Sequence, residues 1–393
     1  MGVVTRAQAK RKRLHSVRHV DDTKSLDLFS LLPDEVLGNI ISFLPTKDGA
    51  RTQILSSRWR PLWRSAPLNL DVSGTDITGT IVSHILSVHQ GPARRLHLSP
   101  SIRADNHEES NAWLLSPALN NLQELRFGQV GRLPPSAFCF SSTLCIAEFT
   151  LCEFSDDAVL HQVHFPKLQQ LTLECVSISE DALHAMLAGC PSLDSLILKF
   201  NSGFRRLRIS LPNLRCVDLY FEIPALEIRL EEVIVEDAPC LKRLIQRCGP
   251  YHEVHISVIS APKLELLAPL TNDNSRIQLG NTVFQAFRFS KKNVWHRKPL
   301  ESIECLDLHL KILLICPYQG DDESHVNLAT FFAQNAKVLE LMHLGVPPNK
   351  KKNNKWIGNQ RKRLMWHNRA SSAARFHFTS DVCCHFFTYT DKL

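Results

Sequence analysis

The sequence predicts an α+β chain carrying α/β repeats: three short helices at the front, a long coil of leucine-bearing repeats, and a small α/β unit that closes it. Three observations predict this. Apolar residues recur at helical spacing, punctuated by proline, between residues 30 and 64. Leucines recur at a step in the low twenties from Leu122 to Leu264. Strand, helix and strand patterns then return from Glu301 onward. The implied division is a disordered basic tail (1–24), the helical module (25–68), the repeats (69–300), the closing unit (301–380) and a C-terminal tail (381–393).

In the front module, Pro33 suits the first helical position, because the N–H it lacks would be unpaired there. Asp34 and Glu35 follow in the first turn, where carboxylates complement the helix dipole. Val36, Leu37, Ile40, Ile41 and Leu44 keep helical spacing until Pro45 ends the pattern. Thr46 is placed to cap a second helix running to Leu55, and a third carries Trp59 and Trp63. Gly49 is a weak helix former within the second, costing up to about 1 kcal/mol. Below about 40 residues a chain seldom folds unaided, so this apolar face needs a partner, either the rest of the chain or another protein.

The repeats follow. Leu122, Leu144, Leu168, Leu193, Leu214, Leu241 and Leu264 each open an L-x-x-L/V/A pattern, at steps of 22, 24, 25, 21, 27 and 23. Ser155-Asp156-Asp157-Ala158 and Ser179-Glu180-Asp181-Ala182 read as capped helix starts in the same phase. Pro166, Pro191, Pro212, Pro239 and Pro262 each stand two residues before an opening leucine, where proline suits a strand entry and forbids a continuing helix. Each unit is thus a strand, sometimes followed by a helix. None buries its apolar side alone, so stacking makes the core of a leucine-rich-repeat solenoid. The intervening strand positions face outward on the concave side. That makes Glu124, Arg126, Gln170, Thr172, Ser195, Ile197, Cys216 and Asp218 candidates for gripping a protein target.

In the closing unit, Ile303, Cys305, Leu306, Leu308, Leu310 and Ile312 alternate as a strand, and Val326 to Ala336 reads as a helix. Val338, Leu339 and Leu341 begin another strand. Trp356, Ile357, Gln360 and Leu364 share helical spacing, and Arg375-Phe376-His377-Phe378 suits a final strand. Such a unit would cover the open end of the solenoid.

The net charge of +7 is unevenly placed: residues 1–24 carry +5 and residues 349–375 carry +9, leaving −6 on residues 25–348. A mildly acidic body offers no broad basic face for phosphates, so nucleic acid is not an expected partner. Lys10-Arg11-Lys12-Arg13 could serve nuclear import. No stretch approaches the roughly 18 apolar residues of a membrane span, and no secretory signal is visible. The expected location is intracellular, in nucleus, cytoplasm or both. Cys139, Cys152, Cys175, Cys190 and Cys240 fall in or beside apolar patterns and are expected as buried thiols in a reducing compartment.

Catalytic signatures are missing: no G-x-x-x-x-G-K-[ST], no H-E-x-x-H, no G-x-S-x-G. Cys383-Cys384-His385 lacks structural-zinc spacing, and the pairs His161/His164 and His252/His255 read as solvated or satisfied histidines. No metal or cofactor is expected.

Leu32-Pro33-x-Glu35-Val36-Leu37, Leu44-Pro45-Thr46-Lys47, Arg51-Thr52 and Leu55-Ser56-x-Arg58-Trp59-Arg60-x-Leu62-Trp63 resemble a plant-type F-box. The resemblance implies a three-helix F-box that docks on a Skp-type adaptor, and through it on a cullin ubiquitin ligase, with Leu32, Pro33, Leu37, Ile40, Leu44, Leu55 and Trp59 at the adaptor interface. Ile303-Glu304-Cys305-Leu306-x-Leu308-His309-Leu310, Ser324-His325-Val326-Asn327-x-Ala329-x-Phe331-Phe332, Asn335-Ala336-x-Val338-Leu339, Trp356-x-x-Asn359-Gln360 and Asn368-Arg369-Ala370-Ser371 resemble the FBD unit that ends many plant F-box proteins. With Val235-Glu236-Asp237-Ala238-Pro239-Cys240-Leu241, the likeness covers nearly the whole chain. It implies a non-catalytic substrate receptor of a Skp–cullin–F-box ligase; the alternative is a leucine-rich-repeat scaffold acting outside a ligase. Between Phe284 and Glu301 the chain is shorter than its relatives, which usually carry another leucine-rich segment there, and this puts the continuity of the solenoid in question.

Overall fold

The computed structural model describes residues 28–72, 77–100, 107–155, 164–221, 230–248, 254–270, 276–280, 282–285, 309–346 and 354–379. The two tails, the helix start at Ser155–Ala158, the strand residues before Leu310, and the histidine and cysteine pairs at 161, 252 and 383–385 fall wholly or partly outside the described residues.

At the front, α1 (Asp34–Ser42) starts directly after Pro33, whose extended backbone prevents an earlier start. It is followed by α2 (Thr46–Arg51), a 3-10 turn (Thr52–Ile54) and α3 (Trp59–Ser65). Leu37, Ile41, Leu62, Trp63 and Ala66 form their shared core. Thr46 does not cap α2. Its hydroxyl donates to the Asn69 carbonyl at 2.7 Å and accepts from the Asp71 amide at 2.8 Å, tying the helices to the first strand. Gly49 proves useful where helix propensity alone counts it a cost: a Cβ there would come within 3.3 Å of the Trp63 indole nitrogen.

The chain then alternates strands with other elements. First come β1 (Leu68–Asp71), α4 (Gly79–Val88), β2 (Ala93–Leu98), α5 (His107–Leu114), β3 (Glu124–Arg132) and β4 (Ile146–Glu153). Next are β5 (Gln170–Glu174), α6 (Glu180–Ala188), β6 (Ser195–Lys199), β7 (Arg206–Ser210), β8 (Cys216–Phe221) and β9 (Glu232–Asp237). The series continues with β10 (Arg243–Cys248), β11 (His255–Val258), β12 (Leu266–Leu270), β13 (Arg276–Leu279) and β14 (Thr282–Gln285). Last are β15 (Ile312–Ile315), α7 (Glu323–Asn335), β16 (Leu341–Gly345), α8 (Asn354–Arg363) and β17 (Arg375–Thr379).

Two sheets result: a 12-stranded one in the order β1-β2-β3-β4-β5-β6-β8-β10-β12-β15-β16-β17, and a 5-stranded one in the order β14-β13-β11-β9-β7. Every pairing in the large sheet is parallel. From β6 to β13 the chain steps between the two sheets. The Ser179 hydroxyl accepts from the Ala182 amide and caps α6, as its sequence predicts.

The opening leucines are all fully buried in one continuous core that runs from Leu68 to Phe376. The prolines before them do more than admit a strand. Leu168, Leu193, Leu214, Leu241 and Leu264 each donate their amide to the carbonyl three residues back. Proline thus occupies the second position of a tight turn, which its fixed φ suits.

Two expectations change. The closing unit does not lie across the end of the repeats: β15, β16 and β17 prolong the same parallel sheet, because Leu313, Met342 and Phe376 carry the core-facing pattern onward. Among the cysteines expected as buried, only Cys152 and Cys190 are, with thiols that burial pushes up to about 12. Cys139 is exposed and Cys175 and Cys240 are half-buried, since each stands beside a buried apolar position rather than on one. Cys316 is disulfide-bonded.

Candidate functional site

Two surfaces stand out, one on the helical module and one on the outer face of the large sheet. On the module, the residues expected to meet a partner divide. Leu37 is 0% exposed and belongs to the core, because its helix places it beside Ile41 against Leu62 and Trp63. It is removed from the candidate surface. Leu32, Ile40 and Trp59 are half-buried against that core, Leu44 is half-buried and Pro33 is exposed. Leu55 is 64% exposed, and beside it in sequence Ile54 reaches 84%.

Sequence reasoning missed Phe29, Leu31, Val36, Phe43 and Ile54, all exposed apolar side chains. Their signal was present: Val36 and Phe43 lie off the Leu37–Ile41 stripe, which marks them as the other face of α1. Asp34 and Arg58 join the beginnings of α1 and α3 through a 2.6 Å ion pair, and Arg58 Nη2 also donates to the Leu32 carbonyl. The Arg94 guanidinium of β2 lies 5.9 Å from the Phe43 ring centre.

The module is seated on the sheet through His89 and Gly91. His89 is buried, with Nε2 3.1 Å from the Trp63 carbonyl oxygen and Nδ1 3.2 Å from that of Gly91. The amides of Gln90 and Gly91 both donate to the Arg64 carbonyl at the end of α3.

On the sheet, the face opposite the core is laid out in register. One row runs Arg95, Glu124, Ile146, Gln170, Ser195, Cys216; the next runs His97, Arg126, Glu148, Thr172, Ile197, Asp218. The structure therefore brings all the candidate target residues onto one surface. All are half-buried except Thr172, 4% exposed, whose short side chain lies between the longer Glu148 and Ile197. Glu124 is held by Arg95 at 2.7 Å and Arg126 at 2.9 Å, and Arg126 reaches Glu148 at 3.6 Å. Lys199 pairs with Glu174 at 3.1 Å and lies 5.7 Å from the Tyr220 ring centre. Ile146 and Glu148 escaped the sequence reading although Leu144 opens their repeat. Among the described residues no group of three or more His, Cys, Asp or Glu side chains could hold a metal ion. No helix among them is long and apolar enough to cross a membrane.

Three family models match the chain in order: the F-box domain at residues 29–71, the LRR repeats of the FBD-associated F-box protein At5g56370 at residues 110–314, and FBD at residues 298–344. Similar proteins from Arabidopsis thaliana include the F-box/FBD/LRR-repeat protein At1g13570, 29% identical over 56% of this chain and 53% of its own length. The FBD-associated F-box protein At5g60610 is 31% identical over 51% of this chain and 53% of its own. A third, the FBD-associated F-box protein At3g52670, is 24% identical over 86% of this chain and 93% of its own length. Against several of these curated relatives the chain spans about half their length. With the repeat model covering more than half of its residues, and F-box and FBD matches on either side, this chain belongs to the plant F-box/FBD/LRR proteins.

Proposed function

We propose that this chain is a non-catalytic substrate-recognition subunit of a Skp–cullin–F-box ubiquitin ligase. In this reading residues 25–68 form a three-helix F-box, residues 69–300 a leucine-rich-repeat solenoid, and residues 301–380 an FBD-like unit that prolongs it. The F-box docks a Skp-type adaptor, and through it a cullin, by the exposed apolar rim of Leu31, Val36, Phe43, Ile54 and Leu55, with Leu32, Pro33, Ile40, Leu44 and Trp59 behind it. The outer sheet face holds a protein target, with Glu124, Arg126, Gln170, Ser195, Ile197, Cys216 and Asp218 as its contact positions. Ubiquitin transfer then follows from proximity, since the target is held near the charged enzyme at a raised effective concentration.

The observation that carries this reading is the solvent-facing apolar set on so small a module, beyond what its own core covers. Co-purification of the full chain with a Skp-type adaptor tests it. The double variant Ile54→Asp with Leu55→Asp should lose the adaptor by at least about tenfold in affinity, with unchanged thermal stability. Equal recovery of wild type and variant would remove the ligase reading and leave a repeat scaffold acting alone.

A further inference from the structure

Three successive repeats bend their chain in the same unfavourable way. Leu151, Cys175 and Phe200, at steps of 24 and 25, have φ of 59°, 53° and 54°. A Cβ makes that conformation costly, and glycine or asparagine would make the same bend with less strain. At each bend the strict alternation of the strand breaks. Two residues instead of one separate core positions: Thr150 and Leu151 stand between buried Phe149 and Cys152, Glu174 and Cys175 between Leu173 and Val176, and Lys199 and Phe200 between Leu198 and Asn201. In β3, Gln129 and Val130 lie opposite Leu151, where the register with β4 shifts. The first of each pair continues the outer face, because Thr150, Glu174, Lys199 and Tyr220 follow one another in register. The second adds an apolar side chain beyond that row. Leu151 is 41% and Val130 73% exposed, while Cys175 and Phe200 are half-buried, the Phe200 ring centre 6.4 Å from that of Tyr220. Backbone strain of this kind collects at binding sites, where the strained side chain has a use outside the core.

We propose that Val130, Leu151, Cys175 and Phe200 form a ledge on the outer face that takes an uncharged, apolar segment of the protein target. Charge decides the occupant. Beside the ledge, Glu174 pairs with Lys199 at 3.1 Å, and the Lys199 ammonium lies 5.7 Å from the Tyr220 ring centre. Behind it, Glu148 meets Arg126 at 3.6 Å, and Asp218 accepts from the Tyr220 hydroxyl at 3.3 Å. On the far side Arg132 and Glu153 are register partners of opposite sign. Burial, and then the Glu174 charge, push the Cys175 thiol up, so it too is uncharged. A charged segment would give up its hydration and find these opposite charges already matched, whereas an apolar one covers Val130 and Leu151. The chemistry of the ledge rests on the fold. That its occupant belongs to a ligase target rests on the receptor reading above.

A random peptide library displayed on phage and panned against the full chain supplies the probe. The peptides recovered should be apolar and without net charge, and should bind equally at low and high salt. Leu151→Asn, which suits positive φ better, should weaken them by at least about tenfold while melting no lower than wild type. Val130→Ser, at the most exposed position, provides a second route to the same loss. Recovery of charged or salt-sensitive peptides, recovery of none, or equal binding by both variants would overturn the proposal. So would a lower melting temperature in Leu151→Asn, which would give that side chain to the fold. Adaptor co-purification run on the same variants should match wild type. An adaptor that never binds would remove the receptor reading and leave the ledge standing, whereas adaptor binding without ledge-dependent peptides would remove the ledge alone.

Discussion

The His89 imidazole meets the Trp63 indole edge to face, ring centres 5.4 Å apart and planes at 86°, while its Nε2 lies 3.1 Å from the Trp63 carbonyl oxygen. A neutral ring has one N–H and donates to one of the two carbonyls beside it; a protonated ring would donate to both, but would bring charge into a buried site. Burial outweighs the pull of the Gly91 and Trp63 carbonyls and holds this histidine's proton affinity below its ordinary value. The folded protein therefore binds this proton less readily than the unfolded chain. The His89 contribution to stability is complete above about pH 6.5 and falls as the pH drops below it. Urea midpoints taken from about pH 7.5 to about pH 5 should decline more steeply for wild type than for His89→Gln. Parallel slopes would contradict the assignment.

Gly91 makes the same junction sterically exacting. A Cβ there would stand 2.5 Å from the carbonyl oxygens of both Ser65 and Ala66, backbone atoms that cannot swing aside. Gly91→Ala should destabilise the junction by about 1 to 3 kcal/mol, read as a lower melting temperature together with faster proteolysis within α3. A melting point equal to wild type would show that the helices can move off the sheet freely.

Leu37 and Leu55 carry one residue type in opposite settings, fully buried and largely exposed. Leu37→Ala should cost about 2 to 5 kcal/mol, whereas Leu55→Ala should stay within about 0.5 kcal/mol. If the two variants melt together, the division between buried core and exposed rim is wrong.

That division also shows what the sequence could say. Periodicity located α1, α3, α6 and the opening leucines, because buried apolar side chains in a regular element must recur with its period. It did not separate Leu37 from Leu55, since which apolar residues cover each other depends on how helices cross, and one strand of sequence does not state that. The second sheet was legible and passed over. Leu207 and Ile209, Val233 and Val235, Ile256 and Val258 alternate as half-buried strands do. A search phased on the leucines skips whatever lies between them. The candidate target positions were placed on one surface because strand alternation is strict; the burial of Thr172 was not, because it depends on the lengths of neighbours one strand away.

The connection from β12 to β15 spans twice the usual repeat, yet the two strands still pair in parallel, with a register shift between Leu267 and Leu270. Ile312 donates its amide to the Glu265 carbonyl at 3.0 Å, as Leu266 donates to Lys242 at 2.9 Å one strand earlier. Doubling a loop costs only about 0.6 kcal/mol of closure entropy, so the strand need not notice how long its connection is. In native-state hydrogen exchange the Ile312 amide should be protected to within about tenfold of Leu266. Exchange at Ile312 near the rate of an unstructured peptide, with Leu266 still slow, would mean that the sheet parts at the shortened segment.

Glu180 opens α6 and reaches across to the second sheet. Its Oε2 accepts from the amides of Arg205 at 3.2 Å and Arg206 at 3.0 Å, and its Oε1 from the Arg206 guanidinium at 3.1 Å. Burial alone pushes this carboxyl up, but the two amides and the Arg206 charge together outweigh it and hold it below its ordinary value. A carboxyl held low in the folded state stabilises fully above its unfolded value, about 4.5, and loses that contribution as the pH falls through the folded value. Glu180→Gln keeps the shape and removes the charge, so it should cost about 1 kcal/mol near neutral pH. The difference from wild type should shrink steadily as the pH is lowered below about 4.5. A constant difference across that range would assign the effect to packing of the side chain and not to the carboxylate, and the helix would then be held to β7 by contact alone.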